Sequence, residues 1–273
     1  MKRVALINDL SGIGGCSLTT SIAVLSALGI EACPLPTAIL SNQTEFDSFY
    51  MVDMTDKMEL FAEQWKRLNI SFDAISVGFL ADESQAEIVK NFISQFKKDN
   101  TLILIDPVMG GDGACYKTLT PELCEKIRAL SFKADIITPN LTEAQILLEK
   151  EIKLEVTLKE AHLFAEELMK KGPSKVIITD VVIGDTVYNI IGENGEISEV
   201  CARRIGKSYS GTGDLLASVI TAGALNGFSL KTTVATAALF IEKAVEEAFN
   251  NKTDRNFGIP FQNYIPLLWE NLK

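Results

Sequence analysis

The sequence predicts an α/β protein in three layers: a central, mostly parallel sheet with helices on both faces and an antiparallel hairpin added late in the chain. Three observations carry that reading. Short apolar runs such as 4–7, 101–105 and 175–179 suit strands buried on both faces of a parallel sheet. They alternate with longer stretches of helical periodicity, the order that produces parallel strands joined by helical crossovers. After Gly184 the pattern changes to two strand-like stretches around Gly192-Glu193-Asn194-Gly195, a hairpin signal. No linker, repeat or low-complexity segment interrupts the chain, so residues 1–273 read as a single domain.

The elements follow in order. Residues 3–8 form the first expected strand; Asp9-Leu10-Ser11-Gly12-Ile13-Gly14-Gly15 comes next, then a helical pattern over 18–28 that stops at Gly29. Strand, glycine turn and helix are reminiscent of a dinucleotide-binding unit, but the Gly-x-Gly-x-x-Gly spacing is absent. Residues 33–40 are apolar yet carry Pro34 and Pro36, which lack ladder donors and point to an edge or irregular strand. Ser41-Asn42-Gln43-Thr44 is a polar loop. Residues 54–68 read as a helix, 74–78 as a strand and 85–96 as a helix. The strand at 101–105 runs into Asp106-Pro107-Val108-Met109-Gly110-Gly111-Asp112-Gly113. A helix (121–130), a strand (135–138) and Pro139-Asn140-Leu141-Thr142-Glu143, opening another helix, come after it. Residues 158–170 are helical, 175–179 a strand, and 185–191 with 196–203 the hairpin. Helices over 212–225 and 231–249 and a segment at 264–272 complete the chain.

Composition narrows the function. A formal charge of −10 offers no footing for sequence-independent nucleic-acid binding. No run approaches the ~20 apolar residues of a membrane span, and no basic-apolar-small leader precedes the first strand, so a cytoplasmic protein is expected. The five cysteines are scattered without a Cys-x-x-Cys pair and read as reduced thiols. The one histidine, His162, sits beside the apolar stripe of its helix and is expected at the surface. A serine–histidine triad or a histidine-based metal site is thereby nearly excluded.

The stretch at 208–217, Ser-Tyr-Ser-Gly-Thr-Gly-Asp-Leu-Leu-Ala, stands out. Gly211, Thr212 and Gly213 precede a run that is apolar almost all round, the mark of a buried helix. Glycines at a helix start let unpaired N–H groups approach a ligand, and the helix end adds partial positive charge, so the turn is a candidate anion site. Asp214, one residue on, is placed to take a proton from an attacking hydroxyl while the N–H groups hold phosphoryl charge. The alternative is a capped helix, with Thr212 as cap and Asp214 complementing the dipole. Asp106-Pro107 can likewise be a strand-ending turn, and Asn140 with Glu143 a helix cap. Position favours a site: Asp9, Gly78-Phe79, Asp106, Asn140 with Glu143, Thr179-Asp180 and the glycine turn all follow expected strands. In open α/β sheets that rim is where ligands bind.

Asp106-Pro107-Val108-Met109-Gly110, Thr138-Pro139-Asn140-x-x-Glu143 and Gly211-Thr212-Gly213-Asp214, in this order and spacing, resemble the ribokinase-like superfamily over essentially the whole chain. Within it the chain is similar to the vitamin B6 (pyridoxal or pyridoxamine) kinases and to the hydroxymethylpyrimidine kinases of thiamine synthesis. Pro34-Leu35-Pro36-Thr37 and Ser41-Asn42-Gln43-Thr44 favour the B6 branch. The resemblance implies a homodimeric, ATP- and magnesium-dependent kinase of a small hydroxymethyl-bearing ring. Asp214 would be the base and Gly211, Thr212 and Gly213 the anion hole. Asn140, Glu143 and Asp106 would lie near the ATP phosphates, with Asp106 and Glu143 serving the magnesium ion, and Thr179 would approach the nucleotide. Asp9, Ser11, Thr44 and Phe79 would surround the ring. A hydroxymethylpyrimidine kinase is the nearest alternative, and a nucleotide-binding homologue without turnover another. The chain departs from the B6 pattern at three places: Gly111 with Asp112 after it, where relatives have Asp first; Gln43 for histidine; and Phe79 where many have tyrosine.

Overall fold

Alternation along the first strand shows why the protein is three layers thick. In β1 (Arg3–Ser11), Val4 and Leu6 enter one apolar core and Ala5 and Ile7 the other, all four buried. A strand buried on both faces needs a layer of helices on each side. The structure, a computed structural model, describes residues 1–117 and 119–272.

The first half of the chain comprises α1 (Ser17–Ala27), β2 (Glu31–Leu40), β3 (Met51–Asp53), α2 (Thr55–Arg67), β4 (Ala74–Val77), α3 (Glu83–Phe96) and β5 (Leu102–Ile105). A small hairpin of β6 (Gly110–Gly111) and β7 (Ala114–Cys115) follows, then α4 (Pro121–Ser131), β8 (Ile136–Ile137), α5 (Leu141–Leu147) and α6 (Leu158–Lys171). The chain ends with β9 (Lys175–Ile183), β10 (Thr186–Glu193), β11 (Glu196–Arg203), α7 (Thr212–Asn226), α8 (Leu230–Asn250) and α9 (Ile265–Leu272). Helices α2 to α6 cover one face of the sheet; α1, α7, α8 and α9 cover the other.

The main sheet runs β11-β10-β9-β8-β5-β4-β1-β2-β3. From β2 to β9 the pairing is parallel, and β3 at one end and β10 and β11 at the other are antiparallel. The late hairpin is therefore where the glycines predict it. Two boundaries differ from the sequence reading. Strand β1 runs on through Ser11, paired to Leu40 of β2, so Asp9 and Ser11 lie within the strand rather than after it. Strand β2 is capped at its far end by β3, which pairs only with Ala38–Leu40; along Pro34 and Pro36 it does form the sheet edge, where missing N–H donors cost nothing.

The chain leaves β1 for β2 on one side and later returns to β4 on the other. That reversal opens a crevice at the carboxyl ends of β1 and β4, the place where doubly wound sheets bind ligands. The helix starts differ in their caps: α2, which follows Met54, has no side-chain cap. Helices α3, α4, α5, α6 and α8 begin with side-chain caps, from Asp82, Thr120, Asn140, Thr157 and Ser229. Helices α1 and α7, whose first turns face the crevice, have none.

Candidate active site

The first turn of α7 owes its position to glycine. Gly211 sits at φ 82°, a left-handed conformation that favours glycine, and a Cβ there would fall on the Gly15 carbonyl oxygen. The α7 start thus lies directly against the Gly14-Gly15 turn. Gly213 is open by contrast: the nearest atom to a Cβ placed on it is Asp106 Oδ2, 3.8 Å away. The Thr212 hydroxyl does not cap the helix; it donates to the Tyr209 carbonyl at 3.1 Å. The leading N–H groups of α7 are therefore left for a ligand, as the geometry of any helix start dictates.

Asp214 is held on both oxygens. Asn8 Nδ2 donates to Oδ1 at 2.9 Å and the Ser17 backbone N–H to Oδ2 at 2.7 Å. Ser17 adopts φ 54°, unusual outside glycine, so the backbone is strained where it delivers that N–H. Asn8 is fixed in turn, its Oδ1 accepting the N–H groups of Asp9 and Phe79, each at 2.9 Å. Burial pushes the Asp214 carboxyl up to about 6, against the Ser17 N–H, which lowers it. A carboxylate so placed ionises near neutrality, as a general base requires.

Asp106 follows β5 on the same rim. Its Oδ1 accepts the Thr138 hydroxyl at 2.9 Å, and burial, with the Asp214 charge second, raises its pKa to about 7. Asn8, Gly78, Asp106 and Asp214 line one narrow cleft. Glu143 stands behind it. Its Oε2 accepts the Asn140 N–H at 2.8 Å, and its Oε1 the Met109 N–H at 3.0 Å and, longer, that of Gly110 at 3.5 Å. Burial, then the Asp106 charge, holds its pKa well above the usual carboxylate range. Asn140 Oδ1 accepts the Glu143 N–H at 2.9 Å, so the pair does form a capping box on α5. It does more than cap, since Asn140 Nδ2 also donates to the Gly110 carbonyl at 2.7 Å and pins the loop after Asp106. Thr179 is half-buried beside Asn140, its N–H on the Pro139 carbonyl, at an irregularity in the β9–β10 ladder.

The opposite wall carries the remaining expected residues. Asp9 and Ser11 are buried and bonded to each other, the Ser11 hydroxyl donating to Asp9 Oδ2 at 2.8 Å. Burial raises the Asp9 pKa. Phe79 is half-buried, belongs to neither apolar core, and accepts the Thr37 hydroxyl at its carbonyl. Thr44 is exposed, while its neighbour Gln43 is buried and turned toward the Asn256 carbonyl at 3.3 Å. His162 is half-buried rather than fully at the surface, packed near Glu199 of β11.

Two partners of Asp214, Asn8 and Ser17, are not among the residues that the sequence singles out. Asn8 has a signal, being a polar residue directly after the apolar run 4–7. Ser17 has none, because it acts through its backbone.

Residues 11–257 match the model of the phosphomethylpyrimidine kinase family. A candidate phosphomethylpyrimidine kinase of Bacteroides thetaiotaomicron, solved in a crystal form with pyridoxal, superposes with a TM-score of 0.94 and 37% identity, covering 98% of this chain and 95% of that one. A pyridoxal kinase of Lactobacillus plantarum superposes with a TM-score of 0.90 and 27% identity, over 99% and 97% of the two chains. A hydroxymethylpyrimidine/phosphomethylpyrimidine kinase of Aquifex aeolicus is 28% identical over 86% of this chain and 91% of its own length. The fold is the ribokinase-like one.

Proposed function

The chain belongs to the phosphomethylpyrimidine kinase family, and on that premise we propose that it transfers the γ-phosphoryl group of ATP to the hydroxymethyl group of a B6 vitamer: pyridoxal, pyridoxine or pyridoxamine. One observation carries the reading. A half-buried carboxylate, Asp214, stands in the first turn of a helix without a side-chain cap and shares a narrow cleft with a second carboxylate, Asp106. That juxtaposition suits phosphoryl transfer, which needs placed charge more than covalent chemistry.

In this reading the acceptor oxygen attacks the γ-phosphorus, its proton passes to Asp214, and the bond to the departing ADP oxygen breaks. The N–H groups of Gly211, Thr212 and Gly213 take the charge on the transferred group. Asn8 and the Ser17 N–H orient the Asp214 carboxylate toward the acceptor. Thr179 and Asn140 border the nucleotide phosphates. Asp9, Ser11, Phe79 and Thr44 bound the ring.

The carboxylates fit a magnesium ion. Asp106 has one oxygen engaged by Thr138 and the other facing the open side of Gly213. Glu143 has both oxygens on backbone N–H groups, so it would serve the ion through water. Magnesium keeps several waters and takes one or two carboxylates beside phosphates, and when bound it neutralises phosphate charge. A homodimer, a cytoplasmic location and one domain over 1–273 go with the reading. All five cysteines are free, and no helix among the described residues is long and apolar enough to cross a membrane.

The pyridoxal-containing relative at 37% identity favours a B6 vitamer. Hydroxymethylpyrimidine is the second acceptor to weigh, on the strength of the Aquifex relative. Phosphorus NMR of the product decides whether transfer occurs: a phosphate ester on the vitamer's hydroxymethyl carbon is expected, and ATP loss without any phosphorylated acceptor would overturn the proposal.

A further inference from the structure

The turn at Arg255–Phe257 touches four segments that frame the site. The Arg255 carbonyl accepts the Ser210 N–H at 3.1 Å, just ahead of the glycine turn. Its Nη2 lies 3.2 Å from Asp112 Oδ2 on the β6–β7 hairpin, 3.1 Å from Ser208 Oγ and 3.5 Å from Glu45 Oε2, next to Thr44. Asn256 clasps the same acceptor loop, its carbonyl accepting Gln43 Nε2 at 3.3 Å and its Nδ2 donating to the Glu45 carbonyl at 3.2 Å. Phe257 packs edge-on to Phe46 at 5.2 Å, and Gly258 lies so near Gly14 that a Cβ would sit 2.8 Å from the Gly14 carbonyl oxygen.

We propose that Arg255 is a positioning residue that joins the acceptor loop to the β6–β7 hairpin, which Asn140 on the proposed nucleotide side pins through the Gly110 carbonyl, so that the two substrates bind cooperatively through it. The proposal rests on the kinase reading above. Three facts support it. First, one guanidinium nitrogen, Nη2, meets carboxylates from two separate loops and a hydroxyl on the approach to the glycine turn, Asp112 and Ser208 as hydrogen bonds and Glu45 as a looser ion pair. Second, the cluster is part-exposed, with Arg255 at 37%, Glu45 at 47% and Asp112 at 63% side-chain accessibility. Ion pairs in such positions add little to stability, so the contacts are easily made and broken and suit a junction better than a staple. Third, Asp112 is turned to Arg255 and is not among the residues that line the Asp106–Asp214 cleft. Gln43 is likewise engaged by this turn rather than free for the ring.

Coupling through such a junction is reciprocal: whatever pyridoxal does to nucleotide affinity, nucleotide does to pyridoxal affinity. The test titrates the whole protein with ADP in the presence and absence of pyridoxal, and with pyridoxal in the presence and absence of ADP. Wild type is expected to show each ligand tightening the other about fivefold, the lower end of ordinary coupling energies. Arg255→Ala should abolish that factor while each ligand alone binds as before, and Arg255→Lys should restore part of it. High salt should reduce the factor in wild type and leave Arg255→Ala unchanged, because the junction is ionic and part-exposed. Asp112→Asn and Glu45→Gln, both at exposed side chains, repeat the test should Arg255→Ala fail to fold. Equal coupling in wild type and variants, no coupling in wild type, or a lower affinity for one ligand with coupling retained would each overturn the proposal. Because the readout is binding, absence of turnover would defeat the kinase reading without deciding this one.

Discussion

The two walls of the crevice are built differently. The proposed phosphate wall consists of strand ends, helix starts and carboxylates tied largely to backbone: Glu143 to the N–H groups of Met109 and Asn140, and Asp214 to that of Ser17, while Asn140 holds the Gly110 carbonyl. The acceptor wall depends on a loop between β2 and β3, where Thr44 is exposed and Gln43 leans on a turn more than two hundred residues away. In the proposed reading the first wall handles a phosphoryl group, which is common to many substrates. The second must suit one ring, and it does so with side chains on adjustable backbone. Phosphate chemistry is therefore readable at a distance, whereas acceptor choice is not.

Substitutions can sharpen that contrast, beginning with the largest effects. Asp214→Asn keeps the shape and removes the base; turnover is expected to fall by about 10²–10⁴ with ADP affinity nearly unchanged. Near-normal turnover would remove Asp214 from its role. Gly211→Ala places a methyl group against the Gly15 carbonyl in a left-handed backbone, so both walls should shift, with a loss of roughly 1–3 kcal/mol in stability and most of the activity. Retained stability and activity would show that the α7 start has room to spare.

Proton linkage gives a subtler test. Because the Asp214 carboxyl titrates near 6 and must be ionised to act, kcat/KM should be level above about pH 6 and fall about tenfold per pH unit below it. A profile level down to pH 4.5 would contradict the assignment. For stability the sign is opposite to that of an ordinary salt-bridged acid. Asp106, raised from its ordinary 3.8 to about 7, binds its proton more tightly when folded. Its contribution to stability is full below the unfolded value and declines as pH rises toward 7. Asp106→Asn should therefore raise the melting temperature relative to wild type, by more at pH 8 than at pH 5, while impairing turnover. The smallest expected effect lies on the acceptor wall: Gln43→His should alter the affinity for the vitamer and leave ATP affinity, measured without vitamer, unchanged. A change in ATP affinity of similar size would mean that the walls are less separate than they look.

The same contrast explains what the sequence made legible. Buried parallel strands announce themselves because both faces are apolar, as in Val4–Ile7 and β5, and helices with side-chain caps carry their start signals in the chain. Strands β3, β6 and β7 are two or three residues long and exist only because a neighbour pairs with them, so no local pattern marks them. In the site, Asp214 and the glycines are legible because acid and turn must occupy adjacent positions. Ser17 contributes a backbone N–H, and any residue at that position would carry one. Arg255 is legible only in three dimensions: Glu45, Asp112 and Ser208, its partners, are scattered over 160 residues of chain.

The phosphate wall is proposed to serve a B6 vitamer. The most direct measurement offers magnesium-ATP with pyridoxal, pyridoxine, pyridoxamine and hydroxymethylpyrimidine in separate reactions and follows ADP. The highest kcat/KM is expected for one of the three B6 vitamers, falling by about 10²–10⁴ in Asp214→Asn. A higher kcat/KM for hydroxymethylpyrimidine than for every vitamer would contradict it.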